Sequence, residues 1–135
     1  MGYREELLNE FFNPFNVGVI KGANGVGKVV TEEGEIFKIF ISVNKNVIEN
    51  ATFQTFGCSA SIAATSVATR LIIGKTLEEA AKITYKEILK ELGGQMPQGK
   101  EDSPLMAEQA IKKAIKSIGK KGKKGKNQDS DEDDE

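Results

Sequence analysis

The pattern of hydrophobic and polar residues changes its period several times along the chain, and each change indicates a new element. Apolar side chains spaced three and four residues apart predict an amphipathic helix over residues 3–12. Its apolar face holds Leu7, Leu8, Phe11 and Phe12. The helix should end at Asn13, because a residue that precedes proline is disfavoured in helical conformation. An irregular segment rich in glycine and asparagine, residues 13–27, is predicted to follow.

Three runs of strand-like sequence come next, at residues 28–31, 36–43 and 47–55. The middle run is rich in β-branched and aromatic residues, which favour strands. Glu-Glu-Gly before this run and Asn-Lys-Asn after it are typical of turns. The short connections indicate two hairpins, and therefore a three-stranded antiparallel meander.

Helical periodicity returns after the third strand. Small and apolar residues predict a helix over residues 59–73 that packs closely against the sheet and is ended by Gly74. Thr76 and Thr84 are typical N-caps for two further short helices, because an acidic residue follows each of them three positions later.

The last predicted helix begins at Ser103, which caps it, and Pro104, which suits its first position, and ends near Ile118. Residues 119–135 contain no apolar side chain, so nothing offsets the entropy of ordering them and we expect disorder. The predicted fold class is α+β. A three-stranded antiparallel sheet packs against helices on one side in residues 1–118, and a lysine-rich and then acidic tail follows.

Composition narrows the classes of function. The chain has no histidine, which excludes histidine-based triads, histidine general bases and metal motifs that need histidine. Only a shifted carboxylate or lysine remains as a general base, so we do not expect an enzyme. A single cysteine excludes an internal disulfide, and no apolar stretch approaches the roughly 20 residues of a membrane span. We therefore expect a cytoplasmic protein without a membrane anchor.

Charge is distributed unevenly along the chain, although the formal net charge is only -1. The predicted tail holds five lysines and six carboxylates of the 19 basic and 20 acidic residues, which leaves 14 of each in residues 1–118. Because this body is formally neutral, nucleic-acid binding by a broad basic face is not expected.

Four motifs in a fixed order carry a resemblance to a known family. They are N-P-F-N-V-G at residues 13–18, F-x-T-F-G-C at 53–58, G-K-T-L-E-E-A at 74–80 and A-E-Q-A-I at 107–111. With the predicted order of helices and strands, they resemble the U-type (NifU/IscU-like) iron-sulfur cluster scaffolds over about residues 3–118. The resemblance implies a SufE/NifU-like fold and a scaffold domain in residues 1–118.

The resemblance also implies an activity. A protein of this family receives sulfur from a cysteine desulfurase, receives iron, assembles a 2Fe-2S cluster on three cysteines with an auxiliary aspartate or histidine, and passes the cluster to acceptor proteins. The family's Leu-Pro-Pro-Val-Lys signal for a chaperone is reduced here to M-P-Q-G-K at residues 96–100, so a chaperone partner is left open.

The cluster ligands are where this sequence departs from the family. The family's second cysteine matches Cys58. Its first lies in a Cys-Gly-Asp motif, where this chain has Glu33 and Glu35 around a glycine. Its third lies in His-Cys-Ser before the last helix, where this chain has Asp102 and Ser103. If the loops converge as in the family, one thiol meets a set of hard oxygen ligands.

Such a donor set leaves several interpretations open. Thiolates, commonly four, hold iron-sulfur clusters, so Cys58 would serve a 2Fe-2S cluster shared between chains of a homo-oligomer, or one completed by an external thiol. In the same first interpretation, Cys58 alternatively accepts a persulfide. In a second interpretation, Cys58 joins the carboxylates around a single divalent iron or zinc ion. In a third interpretation, the chain is a degenerate, regulatory module that docks to a desulfurase or client protein without binding a cluster.

Each candidate residue also has a purely structural interpretation. A lone cysteine between a strand and a helix often serves as a small buried hydrophobe. Glu33 and Glu35 flank a turn glycine, where solvated charge is common. Asp102 suits the start of a helix, and Ser103 suits its N-cap.

Overall fold

A three-stranded antiparallel meander forms the centre of the fold, and the predicted α+β class is confirmed. The computed structural model describes residues 5–124, and their side chains through Ile118. The elements are α1 Glu5–Phe12, β1 Gly25–Val30, β2 Ile36–Asn44, β3 Val47–Phe56, α2 Ser59–Ile72, α3 Leu77–Ala81, α4 Tyr85–Glu91 and α5 Ser103–Lys124. The strand order is β1-β2-β3.

The core lies between one face of the sheet and the helices α2 and α5. The central strand supplies its inner layer, because Phe37, Ile39 and Ile41 are fully buried at alternate positions. The facing surface of α2 is made of small residues, as the sequence predicts. Its fully buried apolar residues are Ala60, Ala63, Ala64, Val67, Ala68 and Ile72. Small side chains let this helix approach the sheet closely.

Strand β3 changes its buried face part-way along its length. Ile48 and Ala51 are both fully buried although they stand three positions apart, where strict alternation would place them on opposite faces. The pairing shifts between Ser42 and Val43 of β2, because Val43 opposes Ile48 whereas Ser42 opposes Asn50. This β-bulge rotates the strand and returns its apolar residues to the core. Strict alternation in the sequence does not reveal the bulge.

Strand β1 begins three residues earlier than its sequence predicts. Gly25 and Gly27 weaken the strand signal, but both lie within β1 and face α5. A Cβ atom on Gly27 would collide with the backbone oxygen of Ala110, and one on Gly25 with that of Ala114. The glycines therefore permit direct backbone packing of the strand on the helix.

Helix α5 continues to Lys124, six residues beyond the predicted end at Ile118. Lysine is a good helix former, and each added residue contributes one backbone hydrogen bond, so a run of lysines extends an established helix despite its glycines. The start of the predicted disordered tail is therefore helical, and residues 125–135 lie outside the described part. No described helix combines the length and apolar character needed to cross a membrane.

We expect Gly27→Ala to lower the free energy of unfolding by about 3 kcal/mol, because the new methyl group meets helix backbone that cannot rotate away. Gly22→Ala is the comparison variant, since Gly22 has φ +70° and open space around it. It should cost only about 1 kcal/mol, from the left-handed backbone. Urea denaturation of both variants measures the difference, and equal losses would contradict close packing of β1 on α5.

Candidate functional site

Four segments of the chain meet at one end of the sheet. Val30, Ile36 and Phe56 are cross-strand partners in the last row of the meander. The β1–β2 turn begins after Val30, and Cys58 and α2 follow Phe56 directly. Helix α5 runs antiparallel to β1, because Ala110 lies against Gly27 and Ile118 against Gly25. Its first turn is therefore directed toward the same end.

Cys58 lies at the N-terminal end of α2 and is half-buried. Its backbone N–H donates to the Ser61 Oγ at 3.3 Å, and its backbone oxygen accepts from Ile62 at 3.1 Å. The Sγ atom lies 3.5 Å from the same Ser61 Oγ. Ser61 thus fixes both the backbone and the thiol of Cys58, as the N3 residue of a capping box does. The thiol is neither sealed in the core nor fully solvated.

Glu35 is the predicted carboxylate that the structure places beside the cysteine segment. A Cβ atom on Gly57 would lie 3.2 Å from Cδ of Glu35 and 2.7 Å from Oγ of Ser61. Both side chains therefore flank the residue immediately before Cys58. Glu35 is half-buried, and its backbone is fixed by Thr31, which exchanges two hydrogen bonds with it at 2.9 and 3.1 Å.

The other predicted site residues are placed differently. Glu33 and Asp102 are exposed, and Ser103 is buried at the start of α5, where its N–H donates to the backbone oxygen of Lys100 at 3.2 Å. The part of the chain described here contains no group of three or more histidine, cysteine or acidic side chains arranged to hold a metal ion. The ligand roles of Cys58, Glu33, Glu35, Asp102 and Ser103 all stay predictions.

This donor set does not fit a cluster held by one chain. Iron-sulfur clusters need several soft thiolate ligands, and the sequence supplies one thiol. The carboxylate of Glu35 is a hard donor that suits single iron or zinc ions better than cluster iron. The end of the sheet offers one half-buried thiol, and the Glu35 carboxylate lies beside the residue that precedes it.

An open apolar cleft of about 430 Å³ lies next to this site. It is lined by Phe11, Pro14, Val17, Phe53, Gln54, Thr55 and Ile62. Ile62 is one helical turn beyond Cys58, so the cleft begins on the same helix as the thiol. Its other walls are the end of α1, the irregular segment after it and the last part of β3.

The irregular segment is held in place by α2 and β3. Its backbone pairs with Phe53 through two hydrogen bonds, from Gly18 N–H at 2.9 Å and to the Asn16 oxygen at 3.0 Å. The N–H of Phe15 donates to the Ser66 hydroxyl at 2.8 Å. These bonds make residues 16–18 a short extension of the sheet at its β3 edge.

A partly buried charge network supports the same wall. Glu10 is 7% exposed, and Arg70 binds it through two hydrogen bonds of 2.8 and 3.2 Å. The Ser66 hydroxyl also donates to Glu10, at 2.7 Å. The hydrogen bond to Glu10 raises the pKa of the Arg70 guanidinium, against the opposite effect of burial. Helix α1 is thereby fixed to α2, and the cleft keeps its shape.

Comparison with known proteins identifies the family to which this fold belongs. The model of the NifU-like N terminal domain family matches residues 2–125. The chain belongs to this family. It is 44% identical over 114 residues to the iron-sulfur cluster assembly scaffold protein IscU 1 of Archaeoglobus fulgidus, covering 84% of this chain and 74% of the relative. It is 40% identical over 123 residues to the iron sulfur cluster assembly protein 1 of Trachipleistophora hominis, covering 88% of each.

Solved structures share the fold of this NifU-like domain. A nitrogen-fixing NifU-like protein from Brucella abortus superposes with a TM-score of 0.68 at 22% identity, over 88% of this chain and 95% of that one. A candidate scaffold protein of the SUF system from Fervidobacterium islandicum AW-1 gives a TM-score of 0.69 at 20% identity, over 84% and 96%. The resemblance seen in the four motifs is confirmed.

Sequence reasoning missed Ser61 and the Glu10–Arg70 pair of this NifU-like domain. A signal for Ser61 exists, since it stands three residues after Cys58 at the position of a capping-box partner. The ion pair joins residues sixty positions apart, and no local pattern encodes it. The cleft depends on that long-range contact as well.

We expect Glu35→Gln to speed the reaction of Cys58 with the anionic reagent DTNB by about threefold relative to the neutral N-ethylmaleimide, because one adjacent negative charge is removed. Absorbance and mass spectrometry of the native protein follow both reactions. Glu33→Gln is the matched control, since Glu33 is exposed in the same turn, and it should change the ratio less. If Glu35→Gln and Glu33→Gln gave equal ratios of the DTNB rate to the N-ethylmaleimide rate, the placement of Glu35 beside the cysteine segment would be contradicted.

A double-mutant cycle with Glu10→Gln and Arg70→Gln should give a coupling energy of about 2 kcal/mol, because charged hydrogen bonds to a buried carboxylate are lost. Urea denaturation measures each variant. The Glu108–Lys112 pair on α5, 3.2 Å apart with a half-exposed lysine, is the control and should give about 0.4 kcal/mol. A coupling for Glu10 and Arg70 as small as the control would refute the supporting role.

Proposed function

We propose that this NifU-like domain is a scaffold-like carrier in iron-sulfur cluster assembly, which holds sulfur and iron through Cys58 for transfer to acceptor proteins. Its relatives carry the names of cluster assembly proteins, and the family resemblance supports a cysteine desulfurase as its partner. It acts by binding and transfer and not as an enzyme, and we place it in the cytoplasm.

The observation that carries the proposal is the position of the thiol. Cys58 is half-buried at the first turn of α2, at the end of the sheet where the β1–β2 turn brings Glu35 beside Gly57. Cys58 packs against the core but is only half-buried, so its thiol is not sealed inside as a purely structural cysteine is.

The chemistry that one thiol can perform is sulfur acceptance. The Cys58 thiolate attacks the terminal sulfur of a cysteine persulfide on the desulfurase. The sulfur-sulfur bond of that persulfide breaks, a new one forms on Cys58, and the desulfurase cysteine leaves as a thiolate. No oxidant is required, because the transferred sulfur already carries the needed oxidation level.

Iron is cargo in this proposal. Glu35 and Cys58 supply one hard and one soft donor for a ferrous ion, and Glu33, Asp102 and Ser103 are secondary candidates. A complete 2Fe-2S cluster needs further thiolates from a second chain or from an external thiol. Zinc fits the same two donors and is the competing ion.

A second function is favoured by two observations. The described residues lack a group of three metal-binding side chains, and the apolar Val30 and Phe56 next to the site are 58% and 70% exposed. Both suit a regulatory module that docks to a desulfurase or client protein and holds no cargo. Cys58 would then be dispensable.

Anaerobic incubation with a cysteine desulfurase and cysteine, followed by mass spectrometry, tests sulfur acceptance. Wild type should gain one sulfur atom on Cys58, and Cys58→Ser should gain none.

Reconstitution of the protein with Fe²⁺ and sulfide tests iron binding. Glu35→Gln should weaken iron binding about tenfold, which is the usual effect of losing one supporting group at a metal site.

Controls separate the two functions. Glu33→Gln should retain most of the iron affinity, because its side chain is exposed. Binding of the desulfurase to Cys58→Ser is measured by calorimetry in parallel. If Cys58 gains no sulfur and iron does not bind while the desulfurase still does, the carrier role is wrong and the docking module is supported.

A further inference from the structure

Two lysines lie directly opposite each other on neighbouring strands. Lys28 of β1 and Lys38 of β2 are Cα partners in the antiparallel register. Gly27 and Val29 on either side of Lys28 are buried, so its exposed side chain points away from the helices. Like charges at directly opposed positions destabilise a sheet, and an anion beside them removes that cost.

A third lysine, on α5, contacts the backbone of the same strand. The Nζ atom of Lys113 on α5 donates to the backbone oxygen of Lys28 at 3.4 Å, while Nζ of Lys38 lies 5.2 Å from the ring centroid of Phe40. Lys28, Lys38 and Lys113 are here called the lysine cluster. No carboxylate within residues 5–118 forms an ion pair with any of them. The cross-strand neighbour on β3 is Gln54, which carries no charge.

We propose that the acidic segment at residues 129–135 of this same chain occupies the lysine cluster. Six of its seven residues are Asp or Glu. The pairing gives the opposed lysines the counter-charge that the described residues do not supply. It does not depend on the proposed function.

Chain length permits the contact. Helix α5 runs along β1 away from the Cys58 end of the sheet. Lys124 lies eleven residues beyond Lys113 on this helix, which is a rise of about 16 Å that the chain after Lys124 must cover in returning. An extended chain covers about 3.4 Å per residue, so the five residues from Lys124 to Asp129 span about 17 Å. The remaining acidic residues are then within reach of Lys28 and Lys38.

Zero-length crosslinking of the full chain with a carbodiimide tests the proposal. Peptide mapping should find residues 129–135 joined to Lys28, Lys38 or Lys113 several-fold more often than to Lys45. Lys45 is the matched control, because it is exposed in the β2–β3 turn at the end of the sheet toward which α5 runs. Lysines within residues 120–126 are excluded from the comparison, since sequence proximity alone joins them. The yields of these crosslinks should fall at about 1 M salt, because the Debye length is then only about 3 Å and the attraction between the charges is screened.

Isotope mixing distinguishes contacts within a chain from those between chains. Equal mixtures of labelled and unlabelled protein should give cluster crosslinks only within chains of one label. Mixed-label crosslinks, or yields at Lys45 equal to those at the cluster, would overturn the proposal.

A stability cycle supplies a second, independent measurement. One variant carries Lys28→Gln with Lys38→Gln, and the other neutralises four acidic residues of the segment by Asp131→Asn, Glu132→Gln, Asp133→Asn and Asp134→Asn. When the acidic segment is unaltered, the two lysine substitutions should lower Tm by about 3 °C, because its attraction to the cluster is lost. When the four acidic residues are neutralised, the same lysine substitutions should raise or preserve Tm, because they remove only the repulsion between the lysines. The same change in both backgrounds would show that the segment and the cluster do not interact.

Discussion

The close approach of β1 and α5 is the constraint on which the arrangement of this molecule depends. Two glycines let the strand backbone rest on the carbonyl groups of the helix, so the register between Gly27 and Ala110 is set by contact of main chain with main chain. That register fixes the direction of α5 across the sheet and brings its first turn toward Cys58. The composition of the site is therefore decided partly by residues far from it that bear no functional group.

The sequence predicts most of the architecture, because its signals are local. Caps at Thr76 and Thr84, the strand composition of β2 and the small residues of α2 each reflect interactions within a few positions. Its failures have a common origin in contacts between distant segments. Glycine weakens a strand unless a helix needs the space, and alternation cannot reveal a bulge that arises from pairing with another strand.

For the candidate site, the sequence predicts which segments take part but not which side chains point toward one another. Motif order identified Cys58 and the turn that carries Glu35, and the structure places Glu35 beside Gly57, the residue before Cys58. Whether a given carboxylate points toward the thiol depends on its rotamer and on its position in the turn. Glu33 and Glu35 stand two residues apart, yet one is exposed and the other is half-buried against the cysteine segment. Sequence spacing does not contain that difference.

Packing constrains some positions of this fold tightly and leaves others free. Glu33 in the β1–β2 turn and Asp102 just before α5 are exposed, whereas Ser103 at the start of α5 is buried. Substitution at solvated positions away from the core changes stability little. Phe37, Ile39 and the glycines of β1, in contrast, are fixed by close packing. Stability therefore constrains the core and the contact of β1 with α5, while exposed positions such as Glu33 and Asp102 can vary without disturbing the family's fold.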